Sequence, residues 1–128
     1  MNRLTSTIVM AVLSLFVAAS ESSHALADEK KFTRLTGKDI RLKVIGKEMT
    51  DGVHWSDYFE KDGVLVSWSI GRKHTGKWQI RGDELCIAED AGDVPTCYEL
   101  WAAGNDISLR LDGVDTTFAG YLRQYGGR

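Results

Sequence analysis

The stretch GKWQIRGDELC (residues 76–86) decides the fold. In its first half, Trp78 and Ile80 alternate with the polar residues around them, which is the period of a half-buried β-strand. Gly82 and Asp83 follow, and this pair is typical of a tight turn between strands. A second short strand then begins at Glu84. The stretch therefore predicts an antiparallel hairpin.

The same pattern extends from this hairpin in both directions. Upstream, Trp55 and Phe59 share one face of a strand, and a Gly-containing turn at residues 61–63 leads into an alternating run at 64–70. Downstream, short strands are predicted at residues 84–89, 96–101, 107–111 and 116–125. Seven or eight short strands joined by Gly-rich turns predict a mainly β protein. We expect an antiparallel meander that closes as a small lipocalin-like barrel or packs as a sandwich.

One short helix is predicted before the strands, at residues 37–45. Thr36 is a good N-cap, Asp39 lies in the first turn, and Ile40 and Val44 fall on one helical face. Gly46 is suited to ending the helix. A strand over residues 40–45 is the alternative, because apolar residues also alternate there.

The first 27 residues have the order of a secretory signal peptide. Arg3 precedes an apolar run at residues 8–19, and Ala25 and Ala27 supply the small side chains that signal peptidase requires before the cut. The apolar run is shorter than the about 20 residues that span a bilayer, so a membrane anchor is disfavoured. We expect cleavage after Ala27, a single β-rich domain over residues 28–128, location in the periplasm or outside the cell, and no membrane span after cleavage.

The two cysteines, Cys86 and Cys97, are predicted to form a disulfide, because such a pair is usually oxidised in an exported protein. Their spacing matches neither a redox Cys-x-x-Cys motif nor a zinc site. If their strands pair directly, the bond pins the hairpin register.

Composition excludes some partners. The formal net charge is -2, which gives no electrostatic basis for binding nucleic acid. No phosphate-binding loop or nucleophile elbow is present in the sequence, and we expect no cofactor.

Several segments together resemble a group of small exported alphaproteobacterial proteins that form a domain family of unknown function. The segments are residues 35–37, 55–59, 76–80, 82–86 and 97–99, so the resemblance covers most of the mature chain. It implies a small periplasmic β-barrel and implies no activity.

Aromatic residues supply the main functional hypothesis. Trp55, Phe59, Trp68 and Trp78 lie on successive predicted strands, and a packed core is the favoured interpretation, above all for Trp78. The alternative is an aromatic pocket, for which Trp55, Tyr58 and Trp68 are the candidate ligand-binding residues. We therefore expect a non-enzymatic binding module for a periplasmic protein or a small apolar ligand.

The sequence leaves two rival functions open. One is an inhibitor of an envelope enzyme. The other is a metal-dependent or hydrolytic enzyme that uses His54, His74 and nearby acids such as Asp57 and Glu60. No His-x-His or Glu-x-x-His spacing supports a metal site, so solvated strand faces explain these residues better and catalysis is disfavoured.

Overall fold

The computed structural model of the protein describes residues 30–112, 115 and 117–127. Within these residues lie one helix and nine strands: β1 (Thr33–Arg34), α1 (Gly37–Val44), β2 (Lys47–Thr50), β3 (Trp55–Phe59), β4 (Val64–Ser69), β5 (Arg72–Arg81), β6 (Glu84–Ala88), β7 (Thr96–Ala103), β8 (Asp106–Arg110) and β9 (Phe118–Gln124). Among the same residues, no helix has the length and apolar composition needed to cross a bilayer. Ala25, Ala27 and the cleavage point predicted beside them lie outside the described residues.

The strands form a closed antiparallel barrel. From β2 to β9 each strand pairs with the next in the chain, and β9 pairs back onto β2 to complete an eight-stranded ring. The two-residue β1 pairs with β7, beyond the part of β7 that pairs with β6. The prediction of a meander that closes as a barrel is confirmed, and the sandwich is excluded. Closure leaves no open edge between β2 and β9.

One face of every barrel strand points inward and forms the core. Phe59, Leu65, Trp78, Leu85 and Leu100 are buried members of this inner layer, and each belongs to a different strand. Trp78 is 5% exposed, as expected for a core residue. Its indole Nε1 donates to the Glu60 carbonyl oxygen over 2.8 Å, so its one polar atom is satisfied.

Strand β4 differs from the expectation for Trp68. Its inner face consists of Leu65, Ser67 and Ser69, whereas Trp68 lies half-buried on the outer face and pairs across the sheet with Ser56 and Lys73. The more apolar alternate residues of β4 therefore face outward. The physical reason is that cross-strand register fixes the inward face: Leu65 is paired with Phe59, which the core requires.

The helix closes one end of the barrel. Thr36 caps it by accepting from the Asp39 amide, and its buried residues Ile40 and Val44 join the core. The Gly37 amide donates to Asp83 Oδ1 over 2.7 Å, which ties the helix to the turn between β5 and β6. The predicted helix is thus confirmed against its strand alternative. The end that it covers also carries the β3–β4 and β7–β8 turns.

The predicted disulfide is confirmed with its register. Cys86 and Cys97 are bonded and are direct cross-strand partners on β6 and β7, with their Cα atoms 3.9 Å apart. Leu85 and Ile87 on either side of Cys86 point inward, so the disulfide lies on the outside of the barrel. It therefore holds two neighbouring strands together without occupying the interior.

Reduction of this bond should lower the melting temperature and leave the fold intact. The ring is short, so loop entropy assigns the bond about 3 kcal/mol, and the surrounding ladder remains when it opens. Differential scanning calorimetry with and without reductant measures the change, and Cys86→Ser/Cys97→Ser is the matched variant. A reductant that leaves the melting temperature unchanged would show that the bond carries no stability.

Candidate functional site

The end of the barrel opposite the helix forms a mouth with a cavity. Residues 51–54, 70–71 and 89–95 and the described part of 111–117 connect the strands there. The cavity has a volume of about 250 Å³ and is lined by His54, Trp55, Asp57, Ser69, Ile70, Ile87, Glu89, Tyr98, Leu109 and Phe118. Aromatic and aliphatic side chains dominate this lining, and two carboxyl groups interrupt it.

Three aromatic rings form one side of the mouth. The Phe118 ring stands edge-to-face against Trp55, with centroids 6.3 Å apart, and against Tyr98, with centroids 6.0 Å apart. The Trp55 ring packs against Gly120. A Cβ atom at this position would lie 3.2 Å from the indole ring and 2.4 Å from the Thr50 carbonyl oxygen, so glycine leaves the room that the ring needs. The three rings therefore hold one another in fixed orientations at the cavity.

Asp57 is the buried acid of the mouth. It is 7% exposed, points inward from the middle of β3 and is hydrogen-bonded to the hydroxyl of Ser67 on β4. Burial raises its pKa from 3.8 to about 6; the Ser67 hydrogen bond works against this rise, and the charge of Glu89 adds to it. A carboxyl group that is this buried opposes its own ionisation unless a positive charge approaches.

The electrostatic environment of the mouth is shared by Asp57, Glu89 and Tyr98. Burial is the largest cause that raises the pKa of the Tyr98 hydroxyl, and the charges of Glu89 and Asp57 raise it further, although a hydrogen bond with Thr96 lowers it. Among the described residues that line the cavity there is no lysine or arginine. The potential in the mouth is therefore negative, and anions are disfavoured there.

The β2–β3 loop is fixed at the rim by Asp51. Its Oδ1 accepts backbone hydrogen bonds from Val53, His54 and Trp55 at 2.9, 2.7 and 3.2 Å, and its Oδ2 lies 2.7 Å from His54 Nδ1. Partial burial raises the pKa of Asp51, but these hydrogen bonds outweigh it and leave that pKa well below its usual range. The loop that leads into Trp55 is thus held by a side chain that stays charged.

The rim carries exposed apolar side chains and one strained residue. Ile70 is 93% exposed, Val53 is 82% exposed and Phe118 is 45% exposed. Ile70 adopts a φ of 49°, and Gly71 follows with a φ of 72°, as in the tight hairpin turns that favour Asn-Gly. A β-branched residue with positive φ is strained, and its exposed side chain gains little packing in return. The stability of the fold therefore does not explain why an isoleucine occupies position 70.

The three aromatic residues proposed from the sequence are not all brought together, although Trp55 and Trp68 both line a second cavity of about 150 Å³ beside the β2–β3 loop. Trp55 lies in the mouth, as one wall of the cavity. Tyr58 points outward and stacks on Tyr125, with ring centroids 3.8 Å apart. Trp68 is also outside, with the Lys73 ammonium 5.9 Å from its ring centroid. Only Trp55 of the three therefore belongs to the candidate site.

The proposed catalytic or metal-binding histidines each pair with a different acid. His54 pairs with Asp51 at the rim, whereas His74 on β5 lies 3.0 Å from Asp90. Among the described residues, no group of three or more His, Cys, Asp and Glu side chains is placed to hold a metal ion. The geometry therefore gives the metal-dependent alternative no support.

Sequence reasoning missed most of the residues that complete the mouth. Tyr98 and Phe118 belong to strands recognised in the sequence, but nothing in their local pattern places them beside Trp55. The sequence groups Asp57 with other polar residues, but its position between Trp55 and Phe59, on the same strand face, is a signal of a buried acid.

Comparisons with known proteins give no relative from which a site could be transferred. The functional assignment consequently depends on the geometry of the mouth. Searches against protein-family models, curated proteins and solved structures find no match to this chain.

Proposed function

We propose that the protein is a non-enzymatic binding module that takes a small, largely apolar ligand into the mouth of its barrel. The observation that carries the proposal is the cavity between Trp55, Tyr98 and Phe118, at the end of the barrel that the helix leaves open. Small-molecule sites are typically concave and mostly apolar, with a few polar groups that fix orientation. Asp57 and Glu89 supply such polar groups.

The size of the cavity limits the ligand. Sites for drug-sized molecules occupy roughly 300–1,000 Å³, and this cavity of about 250 Å³ lies just below that range. The ligand is consequently expected to be compact, with a branched or single-ring body. The deeper interior is filled by Phe59, Leu65 and Trp78, which are buried core residues. The site is thus an open cup at the mouth, with buried core side chains below it.

Truncation of the tryptophan in the mouth should abolish binding, whereas truncation of the outer tryptophan should not. Trp55→Ala removes one wall of the cup, but Trp68→Ala removes a ring of equal size on the opposite face of the sheet. Saturation-transfer NMR with benzyl alcohol and with the tert-butyl carbon analogue of choline as probes should give saturable signals with the wild type. We expect a loss of affinity of at least about tenfold for Trp55→Ala and less than about twofold for Trp68→Ala.

Two results would contradict the proposed site. Loss of binding in Trp68→Ala with retention in Trp55→Ala would move the site to the outer face. If neither probe binds the wild type, the mouth is not a site for small apolar molecules. The folded state of each variant is checked by circular dichroism before the titration.

We also propose that the protein works in the periplasm or outside the cell. The order of charge, apolar run and small residues before residue 28 supports this, and the Cys86–Cys97 disulfide is compatible with an oxidising compartment. Intact-mass measurement of protein from a periplasmic extract should give a chain that begins at Asp28. Ala27→Arg should prevent processing. A full-length chain in the membrane fraction would contradict the proposal.

A further inference from the structure

We propose that the ligand of the mouth is a small organic cation, with a methylated ammonium group held between the aromatic rings and Asp57. This inference rests on the proposed binding function and adds the chemical class of the ligand. Its basis is the combination of three aromatic rings, two carboxyl groups and an apolar rim around one compact cavity.

The aromatic rings provide the first part of the recognition. An aromatic face is electron-rich, and a cation within about 6 Å of a ring centroid is attracted to it. Trp55 and Tyr98 both stand at steep angles to Phe118, of 67° and 75° between ring planes. All three residues line the cavity, so a rounded group that enters it meets aromatic rings of different orientation. A methylated ammonium ion is rounded, apolar at its surface and charged, so it matches both the shape and the potential.

The carboxyl groups provide the second part. Asp57 is buried in the cup without a lysine or arginine among the described residues that line it. A buried carboxylate without a positive charge nearby is unfavourable. A cation that enters the cup offsets this unfavourable free energy. Glu89, directly after β6, adds a second negative charge close enough to affect Asp57. A neutral ligand of the same shape would gain the apolar contacts alone.

The rim provides the third part. Ile70 lines the cavity with an apolar side chain, and it is 93% exposed in the free protein. It supplies contacts for methyl groups while leaving the negative potential of the cup unchanged. The strained backbone at Ile70 is then understandable, since the Asn that the turn favours would place a polar amide at this entrance.

The test compares two molecules of nearly equal shape. Choline carries a trimethylammonium group, and its carbon analogue carries a neutral tert-butyl group in the same place. Isothermal titration of the wild type should give choline a Kd at least about tenfold lower than that of the analogue. Asp57→Asn keeps the size of the side chain and removes its charge. It should erase most of this preference, because choline loses an interaction with a charged group that the neutral analogue never makes.

Two further variants complete the design. Glu89 lies at the edge of the cup, so Glu89→Gln should reduce the preference for choline by a smaller factor. This variant keeps the test decisive if Asp57→Asn does not fold. Trp68→Ala is the control, because its ring also has a cation close by but faces away from the mouth. It should leave both affinities unchanged.

The outcomes separate this inference from the proposed function. Equal or tighter binding of the neutral analogue overturns the cation preference and leaves the small-ligand function standing. Preference for choline that survives both Asp57→Asn and Glu89→Gln also overturns it, because the charge would then come from elsewhere. Failure of both molecules to bind overturns the inference together with the function.

Discussion

Trp78→Ala is expected to lower the free energy of unfolding by about 3–5 kcal/mol. Trp78 is a central part of the core, with its ring edge-to-face against Phe59 at 5.7 Å between centroids. Its backbone amide also donates to the Gly63 carbonyl oxygen over 2.9 Å, at the β3–β4 turn. Small domains have only about 5–15 kcal/mol of total stability, so this single loss is a large fraction of it.

Urea denaturation followed by circular dichroism measures the effect, with Trp101→Ala as the matched control. Trp101 lies on the outer face, where the Arg110 guanidinium is 4.2 Å from its ring centroid, so its truncation should cost about 1 kcal/mol. Trp78→Phe keeps an aromatic ring and loses the bond from Nε1 to the Glu60 carbonyl, and should fall between the two. Equal denaturation midpoints for Trp78→Ala and Trp101→Ala would contradict a core role for Trp78.

Asp57→Asn is expected to raise stability at pH 7 by about 1–3 kcal/mol, an unusual direction for a change at a buried polar residue. The pKa of Asp57 is about 6 in the folded protein and about 3.8 in the unfolded chain. The folded state therefore holds the proton more tightly than the unfolded state. The stability that Asp57 contributes is complete below about pH 4 and is lost as pH rises through about 6. Asparagine remains neutral throughout, so it avoids this loss.

The measurement is the free energy of unfolding of both proteins from pH 4 to pH 7.5. Glu89, Tyr98, His54 and His74 lie on the elements around Asp57, and all four are present in both proteins, so the difference between the two curves isolates Asp57. That difference should be small at pH 4 and increase up to about pH 7. Asp51→Asn is the control with the opposite sign, because a carboxylate that accepts three backbone N–H donors stabilises the fold at neutral pH. An Asp57→Asn variant less stable than the wild type at pH 7 would show that the carboxylate is needed for folding.

Features that depend on neighbouring parts of the chain could be predicted from the sequence. Trp78 follows the period of its own strand, and the turn at Gly82 fixes its partner strand, so local pattern was enough to place it in the core. The direct pairing of Cys86 with Cys97 was predictable for the same reason, since a hairpin is a local structure. The helix over residues 37–44 followed from its cap at Thr36.

The candidate site was less accessible because it depends on closure of the barrel. Phe118 comes to lie beside Trp55 and Tyr98 only after β9 pairs with both β2 and β8. No local pattern reports which strand faces meet across the interior. Trp68 shows the same limit in reverse: the face of β4 that carries it is the more apolar one, and only the register with β3 decides that the face with Ser67 points inward.

The four tryptophans allow the central claim to be tested within one molecule. With isotope-labelled tryptophan, the indole N–H of each ring gives its own NMR signal, and single substitutions assign the four signals. Addition of choline should shift the Trp55 signal in a saturable manner. The signal of the buried Trp78 and those of Trp68 and Trp101 on the outer face should remain in place. A saturable shift of Trp68 or Trp101 with no change at Trp55 would contradict the claim that the mouth of the barrel is the binding site.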